Sequence, residues 1–360
     1  MARSIGALFG SAKRVVLGGL VALLAMAGAA ALAGCGGEAP AGGEPAAQDD
    51  EAATTVRIGT MPTEDSLPLW VAEADGLFAD QGVQAEIVTF DSAPALSAAI
   101  TAGQVDMAMT DVMRAVKLTE SGTPVVLEWT TLGETAAEGR FGVMAAADSP
   151  YDSLEDLAAA AASGDVPEGF GVGVAANTVP EYVLDALCAE AGLPEGAIPT
   201  QEVASLPERY SLMASGQLAA AALPGSLLAL GEANGMKLLA DDTTGQNVSQ
   251  SVMVAQESFE ADHHEAVEAV ALAWNAAADA INADRAAYLP VLAEEANLNE
   301  TIAESYPVST YPYAFDLGAL KRPLASLVEP QIAWMAKKGY GTAGTTYDEA
   351  SGAIVVGSAA

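Results

Sequence analysis

From Val56 onward, short apolar runs alternate with longer stretches whose apolar residues recur every three or four positions. "VRIGTM" reads as a buried strand, "SLPLWVAEADGLFADQG" as a helix stopped by Gly82, and "VQAEIVTF" as a second strand. "APALSAAITAG" follows as a helix stopped by Gly103, and "VDMAMT" as a third strand. This alternation predicts a parallel α/β sheet with right-handed crossovers. After "TPVVLEWTTLG" and "RFGVMAAADS" the pattern restarts. "SLEDLAAAAAS", "VPEYVLDALCAEAG" and "PERYSLMASG" read as helices, and "GFGVGVAAN", "IPTQEVA" and "LAAAAL" as strands.

Two stretches resemble each other. "ITAGQVDMAMTD" (residues 100–111) and "MASGQLAAAALP" (residues 213–224) each pair a helix end closed by glycine, Gly103 or Gly216, with a strand of short apolar residues. A strand of that composition is expected to be buried on both faces. Each stops at a loop, Thr110-Asp111 or Leu223-Pro224, and ligands of parallel α/β sheets lie outside the carboxyl ends of strands. Two half-molecules facing each other would set these loops on opposite walls of one cleft.

The chain then returns. "VSQSVMVAQESF" reads as a crossing strand, followed by a long helical stretch expected to break at Pro290 and a final helix ending at Gly339. The predicted layout is residues 56–147 as the first part of lobe 1 and 148–248 as lobe 2. Residues 249–345 form the return and the C-terminal helices, and 346–360 a flexible tail. The paired crossings are expected near 145–150 and 245–255.

The first residues change the picture of location. Arg3, Lys13 and Arg14 precede an apolar run that ends at "LAGC", the pattern of an export signal over residues 1–34. An apolar run of about twenty residues is also long enough to span a bilayer. The cysteine decides between the readings, because Leu32-Ala33-Gly34-Cys35 resembles the bacterial lipobox, in which the cysteine is lipidated and begins the mature protein. Residues 35–55, rich in Gly, Ala, Pro and acid, are expected to be a disordered tether. The folded part is thus predicted to be extracytoplasmic and held at the cell membrane through Cys35.

Beyond the signal the chain carries 11 basic and 48 acidic residues, a formal charge of −37. That argues against nucleic acid and anionic membrane surfaces as partners. The second cysteine, Cys188, lies on the apolar stripe of its helix and reads as a lone buried thiol. "GVGVAAN" contains a GxGxxA pattern, but Gly171 and Gly173 alternate with valines inside the strand instead of forming the turn a dinucleotide needs. His263 and His264 point about 100° apart on a helix and do not simply share an ion. No metal and no cofactor is expected, and no GxSxG, Walker, HExxH or CxxC motif occurs.

"RIGTMPTEDSLPLWVAEADGLFADQGVQAEIVTF" followed by "SAAITAGQVDMAMTD" resembles the solute-binding proteins of ABC importers in the nitrate, sulfonate, taurine and thiamine-pyrimidine branch. The likeness covers roughly residues 56–260. It implies a periplasmic-binding-protein-like α/β fold of the second type, with two lobes and parallel-rich sheets around an interlobe cleft. It also implies a monomeric receptor for a small-molecule solute, closing by hinge motion and delivering to permease and ATPase subunits. Fungal thiamine-pyrimidine synthases share the fold and are enzymes, but they need an active-site histidine and a cysteine-rich motif, and this chain has no cysteine cluster. Ala219 stands where such proteins repeat the aspartate of "GQVD", so Asp106 reads as a structural residue of lobe 1.

The strand-end loops carry the binding expectation. Their residues are Met61, Pro62, Thr63, Glu64, Leu67 and Trp70 in the first, and Thr110 and Asp111 in the second. Trp129, Thr130 and Thr131, then Asn177 and Thr178, and finally Leu223 and Pro224 complete the set. Asp65 or Ser66 is expected to cap the first helix. These loops hold acids and no Lys or Arg, and Arg140 is the basic residue expected near them. Acids beside Trp70 and Trp129 suit a neutral or cationic nitrogen heterocycle, such as a thiamine-pyrimidine precursor, ahead of a sulfonate, taurine or nitrate; the alternative is that both tryptophans are core residues, the reading that an apolar helix face favours for Trp70.

Overall fold

The computed structural model describes residues 54–133, 135–244, 248–306, 310–315 and 324–357. The expected signal peptide, Cys35 and all but the end of the tether lie outside the described residues.

The first lobe begins with β1 (Thr55–Thr60), which leads through a 3-10 turn (Glu64–Ser66) into α1 (Leu67–Ala74) and α2 (Leu77–Asp80). The single helix expected here is divided at Gly76, whose φ of 74° favours a residue without Cβ. There follow β2 (Gln84–Thr89), α3 (Ala93–Thr101), β3 (Met107–Thr110), α4 (Val112–Glu120) and β4 (Val125–Leu132). The second lobe comprises β5 (Phe141–Ala145), α5 (Leu154–Ser163), β6 (Val172–Val174), α6 (Val179–Glu190) and β7 (Thr200–Glu202). It ends with α7 (Leu206–Ala214), β8 (Ala220–Pro224), α8 (Gly225–Ala233) and β9 (Lys237–Asp241). The chain returns through β10 (Ser251–Gln256), α9 (Glu257–Ala283), α10 (Arg285–Glu295), α11 (Glu300–Ser305), α12 (Ala325–Lys338), β11 (Thr346–Asp348) and β12 (Ala353–Val355).

Two sheets result, ordered β11-β12-β4-β10-β3-β1-β2 and β7-β6-β8-β5-β9. β1 runs parallel to β2 and β3, and β6 runs parallel to β7 and β8. β3 and β8 are each central and buried along their whole length, which explains the short residues of the two similar stretches. Gly103 and Gly216 close the helices that feed them, at φ of 65° and 72°. Gly173 lies inside β6, where a Cβ would stand 2.6 Å from Leu218 Cδ1, so packing against α7 and its following loop accounts for it.

Three further expectations need correction. β5 pairs antiparallel with β8 and β9, so the first crossing lies between Leu132 and Phe141 and not at 145–150. The apolar run "FGVMA" cannot reveal which sheet buries it. The long helical stretch breaks at Asp284 (φ −145°, ψ 77°), and Pro290 sits inside α10. The tail expected to be loose forms the β11–β12 hairpin, docked by Ile354 in the core and by the Leu127 N–H donating to Gly352 O at 2.8 Å. Its turn is fixed by Gly352, at φ 73°.

The second crossing runs from Asp241 to Ser251. Asp242, buried between the crossings, accepts from the Phe141 N–H at 2.8 Å and the Ser249 N–H at 3.1 Å. One carboxylate therefore ties both connections together. Among the described residues no helix is long and apolar enough to cross a bilayer.

Candidate functional site

A cavity of about 80 Å³ lies between the lobes. Thr60 and Thr110 line it from the carboxyl ends of β1 and β3, Ala175 from just past β6, and Pro224 from the end of β8. Parallel strands of both sheets therefore aim their carboxyl ends at the same space, the position that open α/β sheets reserve for ligands.

The 3-10 turn supplies the charges. Glu64, 1% exposed, reaches across the cleft: its Oε2 accepts from the Ser226 backbone N–H at 3.1 Å, in the first turn of α8. Its Oε1 faces the buried Tyr306 hydroxyl. Burial, then the neighbouring Asp65 charge, pushes the Glu64 carboxyl up from the ordinary range. Asp65 accepts from Ser251 Oγ at 2.7 Å and is raised by burial too. Ser66 holds the N-cap position of α1, but neither its side chain nor that of Asp65 makes the capping bond. The Ser66 hydroxyl instead donates to Met61 O at 3.0 Å, which holds the loop against the end of β1.

Asp111 is the cap of α4, accepting from the Arg114 N–H at 2.8 Å, and burial raises its carboxyl as well. Arg114 itself crosses the cleft to Ala176 O at 3.1 Å. Asp106, as expected, is structural: it accepts from the Arg57 backbone N–H at 2.8 Å and from Arg57 Nε at 2.9 Å.

One cation in the cavity wall was missed. Arg209 of α7 is 1% exposed and donates to Val203 O at 2.8 Å, Ala222 O at 3.1 Å and Ala204 O at 3.2 Å. Burial lowers its pKa to about 10. Its position three residues after Leu206 and four before Met213, both buried, was the signal available in the sequence. Arg140, the basic residue expected near the loops, points elsewhere, pairing with Asp241 at 2.7 Å and Glu232 at 2.9 Å, and Arg114, only three residues after Asp111, is the nearer one in sequence.

Of the predicted residues, Met61, Thr63, Glu64, Thr110, Asp111, Thr178 and Pro224 line the cavity. Pro62, Leu67, Asn177 and Leu223 do not. Leu67 and Leu223 are core residues, and Asn177 turns the backbone at φ 55°. Trp70 and Trp129 pack in the lobe 1 core, Trp129 with its ring centroid 6.0 Å from that of Trp274. Thr130 and Thr131 are buried in β4 outside the cavity wall, and Thr131 bonds Ser251 at 3.0 Å. Leu132, Phe141, Ser249 and Ser251, from the two crossings, line the cavity instead. The serines of "VSQSVMV" were the one visible hint of them.

The lining holds no histidine and no cysteine. Cys188 is buried in α6 with its thiol pushed up to about 11, and His264 pairs with Glu260 at 2.6 Å on the exposed start of α9.

The sequence profile of the NMT1-like family matches residues 49–294, more than half of the chain. The chain belongs to the NMT1-like family. No curated protein sequence matches it. Among solved structures, this NMT1-like chain is similar to the alkanesulfonate-binding protein SsuA from Xanthomonas axonopodis pv. citri bound to MOPS, at 17% identity and a TM-score of 0.65. That match covers 80% of this chain and 94% of SsuA. The periplasmic nitrate-binding protein NrtA from Synechocystis PCC 6803 gives 14% identity and a TM-score of 0.68 over 81% of this chain and 83% of NrtA. A Candida albicans protein described as exhibiting the generic periplasmic binding protein structural fold gives 12% identity and a TM-score of 0.60, covering 79% of this chain and 90% of its own. The fold is that of the periplasmic binding proteins.

Proposed function

We propose that the chain is an extracytoplasmic solute receptor of an ABC importer, anchored through a lipidated Cys35. It captures one small organic solute by lobe closure and delivers it to a permease, and it performs no chemistry itself. The observation that carries this reading is the cavity walled by strand ends of both lobes and bridged by Glu64 to α8 and Arg114 to Ala176. Closing two such walls on a solute would couple binding to hinge motion. The family assignment supports it, and the absence of histidine and cysteine from the lining argues for binding over catalysis.

The first-choice solute is a nitrogen heterocycle of the thiamine-pyrimidine type, because Glu64, Asp65 and Asp111 give the wall an excess of carboxylates. A second reading, a sulfonate, taurine or nitrate, is favoured by the buried Arg209 and by what SsuA and NrtA bind. Native mass spectrometry of protein purified without refolding, followed by calorimetric titration with both ligand sets, tests the proposal. A retained small solute and a smaller radius of gyration on binding are expected. A protein that retains nothing, binds neither set and keeps one scattering profile would overturn it.

A further inference from the structure

The first turn of α8 is where a free anion would dock: the helix is nine residues long and opens at the cleft with Pro224 as its cap. Pro224 has no side-chain oxygen to occupy the N–H groups, and no side chain of α8's own caps them. The group that does so comes from the opposite lobe. Glu64 Oε2 takes the Ser226 N–H at 3.1 Å, while the fully buried Oε1 faces the Tyr306 hydroxyl. The contact is tight, since a Cβ on Gly225 would stand 2.9 Å from Oε1. A fixed carboxylate thus stands where a sulfonate or nitrate would bring its oxygens.

The other charges do not restore an anion site. Asp65 and Asp111 add negative charge to the same wall. Arg209, the one cation in the lining, already donates from Nε and both terminal nitrogens to main-chain carbonyls, so its charge is directed at backbone dipoles of its own lobe.

We propose that Glu64 is the selectivity-determining residue of the cleft: it fills the anion-binding end of α8 and so rejects anionic solutes, admitting those that bring an N–H donor or a positive charge, such as an amide, ammonium or amidinium. This deepens the receptor reading and rests on it. An anion would meet Glu64 at close range in a poorly hydrated space, where like charges repel strongly. A donor would instead meet the lone pair of Oε1 that the Tyr306 hydroxyl does not face.

The test compares wild type, Glu64→Ala and Glu64→Gln, with folding checked by circular dichroism. The probes are sodium nitrate and sodium ethanesulfonate, read by calorimetry and by thermal shift against sodium chloride at equal ionic strength. Removing the side chain frees both the volume and the N–H groups, so Glu64→Ala is expected to bind nitrate or ethanesulfonate at least about tenfold more tightly than wild type. Glu64→Gln keeps the shape, drops the charge and should show a smaller gain, which carries the test if the alanine variant does not fold. No gain in either variant, wild-type binding of either anion as tight as that of Glu64→Ala, or an anion as the solute retained by the native protein would each overturn the proposal. A wild type that retains no solute and never closes would overturn the receptor reading, while an anion gained by Glu64→Ala would still uphold the role given to Glu64.

Discussion

The Tyr340 hydroxyl donates to Glu181 Oε1 at 2.8 Å, while Glu181 Oε2 accepts from the Asn177 backbone N–H at 2.7 Å. One side chain thus joins the loop between β6 and α6, whose neighbours Ala175 and Thr178 line the cavity, to the segment after α12. Lys338 adds a second link, reaching Glu181 at 3.1 Å and Asp185 at 3.0 Å. The same segment is held to lobe 1, because Lys117 of α4 donates to Tyr340 O at 3.1 Å. Helix α12 is therefore a strap across both lobes. Lys338→Ala is expected to weaken it by about 1 kcal/mol, typical of a partly exposed charge network and its packing. Scattering should then show a larger radius of gyration without solute, at little change in the unfolding midpoint of lobe 1. An unchanged radius would exclude the strap.

Asp242 accepts main-chain N–H groups from both crossings, so its replacement acts on the hinge itself. Asp242→Ala leaves at least two buried donors without an acceptor, at roughly 1–3 kcal/mol each before relaxation. A drop of about 3 kcal/mol in urea unfolding, with faster hydrogen exchange at Phe141 and Ser249, is the expected result. A loss under about 0.5 kcal/mol, the range of an ordinary surface change, would mean that water replaces the carboxylate without penalty.

The halves of this molecule differ in how far the sequence discloses them. Period and glycine stops sufficed to find the strands β1 to β3 and β6 to β8, because each follows one spacing and the helices before β3 and β8 end at Gly103 and Gly216. The pattern cannot say which sheet receives an apolar strand, and β5 went to the other lobe for that reason. The tail misled because its strands have three residues each, too short for a period, and gain their order by docking on β4. In the cavity, residues at strand ends were legible since position alone marks them, as with Thr110 and Pro224. Side-chain direction was not: the apolar helix face favoured the core for Trp70, but nothing marked Trp129 as inward or Arg209, on a helix with no face assigned to it, as lining the cleft.

Burial of three carboxyls in one wall gives stability a definite pH dependence. Glu64, Asp65 and Asp111 have pKa values raised on folding, chiefly by burial, so the folded state holds more protons than the unfolded one above the ordinary values of 4.5 and 3.8. Their contribution to stability is greatest at low pH and is lost as pH rises through the raised values. Glu120 and Asp241, whose pKa values are lowered, contribute the opposite way and lose their part as pH falls. Glu64→Gln isolates one term. At pH 8 the variant should be more stable than wild type by about 1 kcal/mol, the usual scale when an unpaired buried charge is removed, and the difference should shrink toward pH 4.5. Urea unfolding of both proteins across that range measures it. A gap that widens on acidification would mean that Glu64 is held ionised by its neighbours.

Gly225 opens α8 from the lobe 2 side of the cleft, and Tyr306 and Glu64 press against it from lobe 1. A Cβ there would stand 2.7 Å from Tyr306 Cε2 and 3.0 Å from its hydroxyl oxygen. Tyr306 is 2% exposed and cannot swing into solvent without opening the core behind it. The added methyl of Gly225→Ala therefore acts as a wedge between the lobes, at about 1–3 kcal/mol of overpacking that the molecule relieves most cheaply by parting them. Gly231 supplies the control. A Cβ there meets Met144 Sδ and Met236 Sδ, all within lobe 2, so Gly231→Ala strains one lobe without acting on closure. Scattering should give a larger radius of gyration for Gly225→Ala alone, and the solute retained by the wild type should be lost from Gly225→Ala but kept by Gly231→Ala. If both variants lose the solute equally while both stay compact, the loss comes from general strain in α8, and Gly225 has no part in bringing the lobes together.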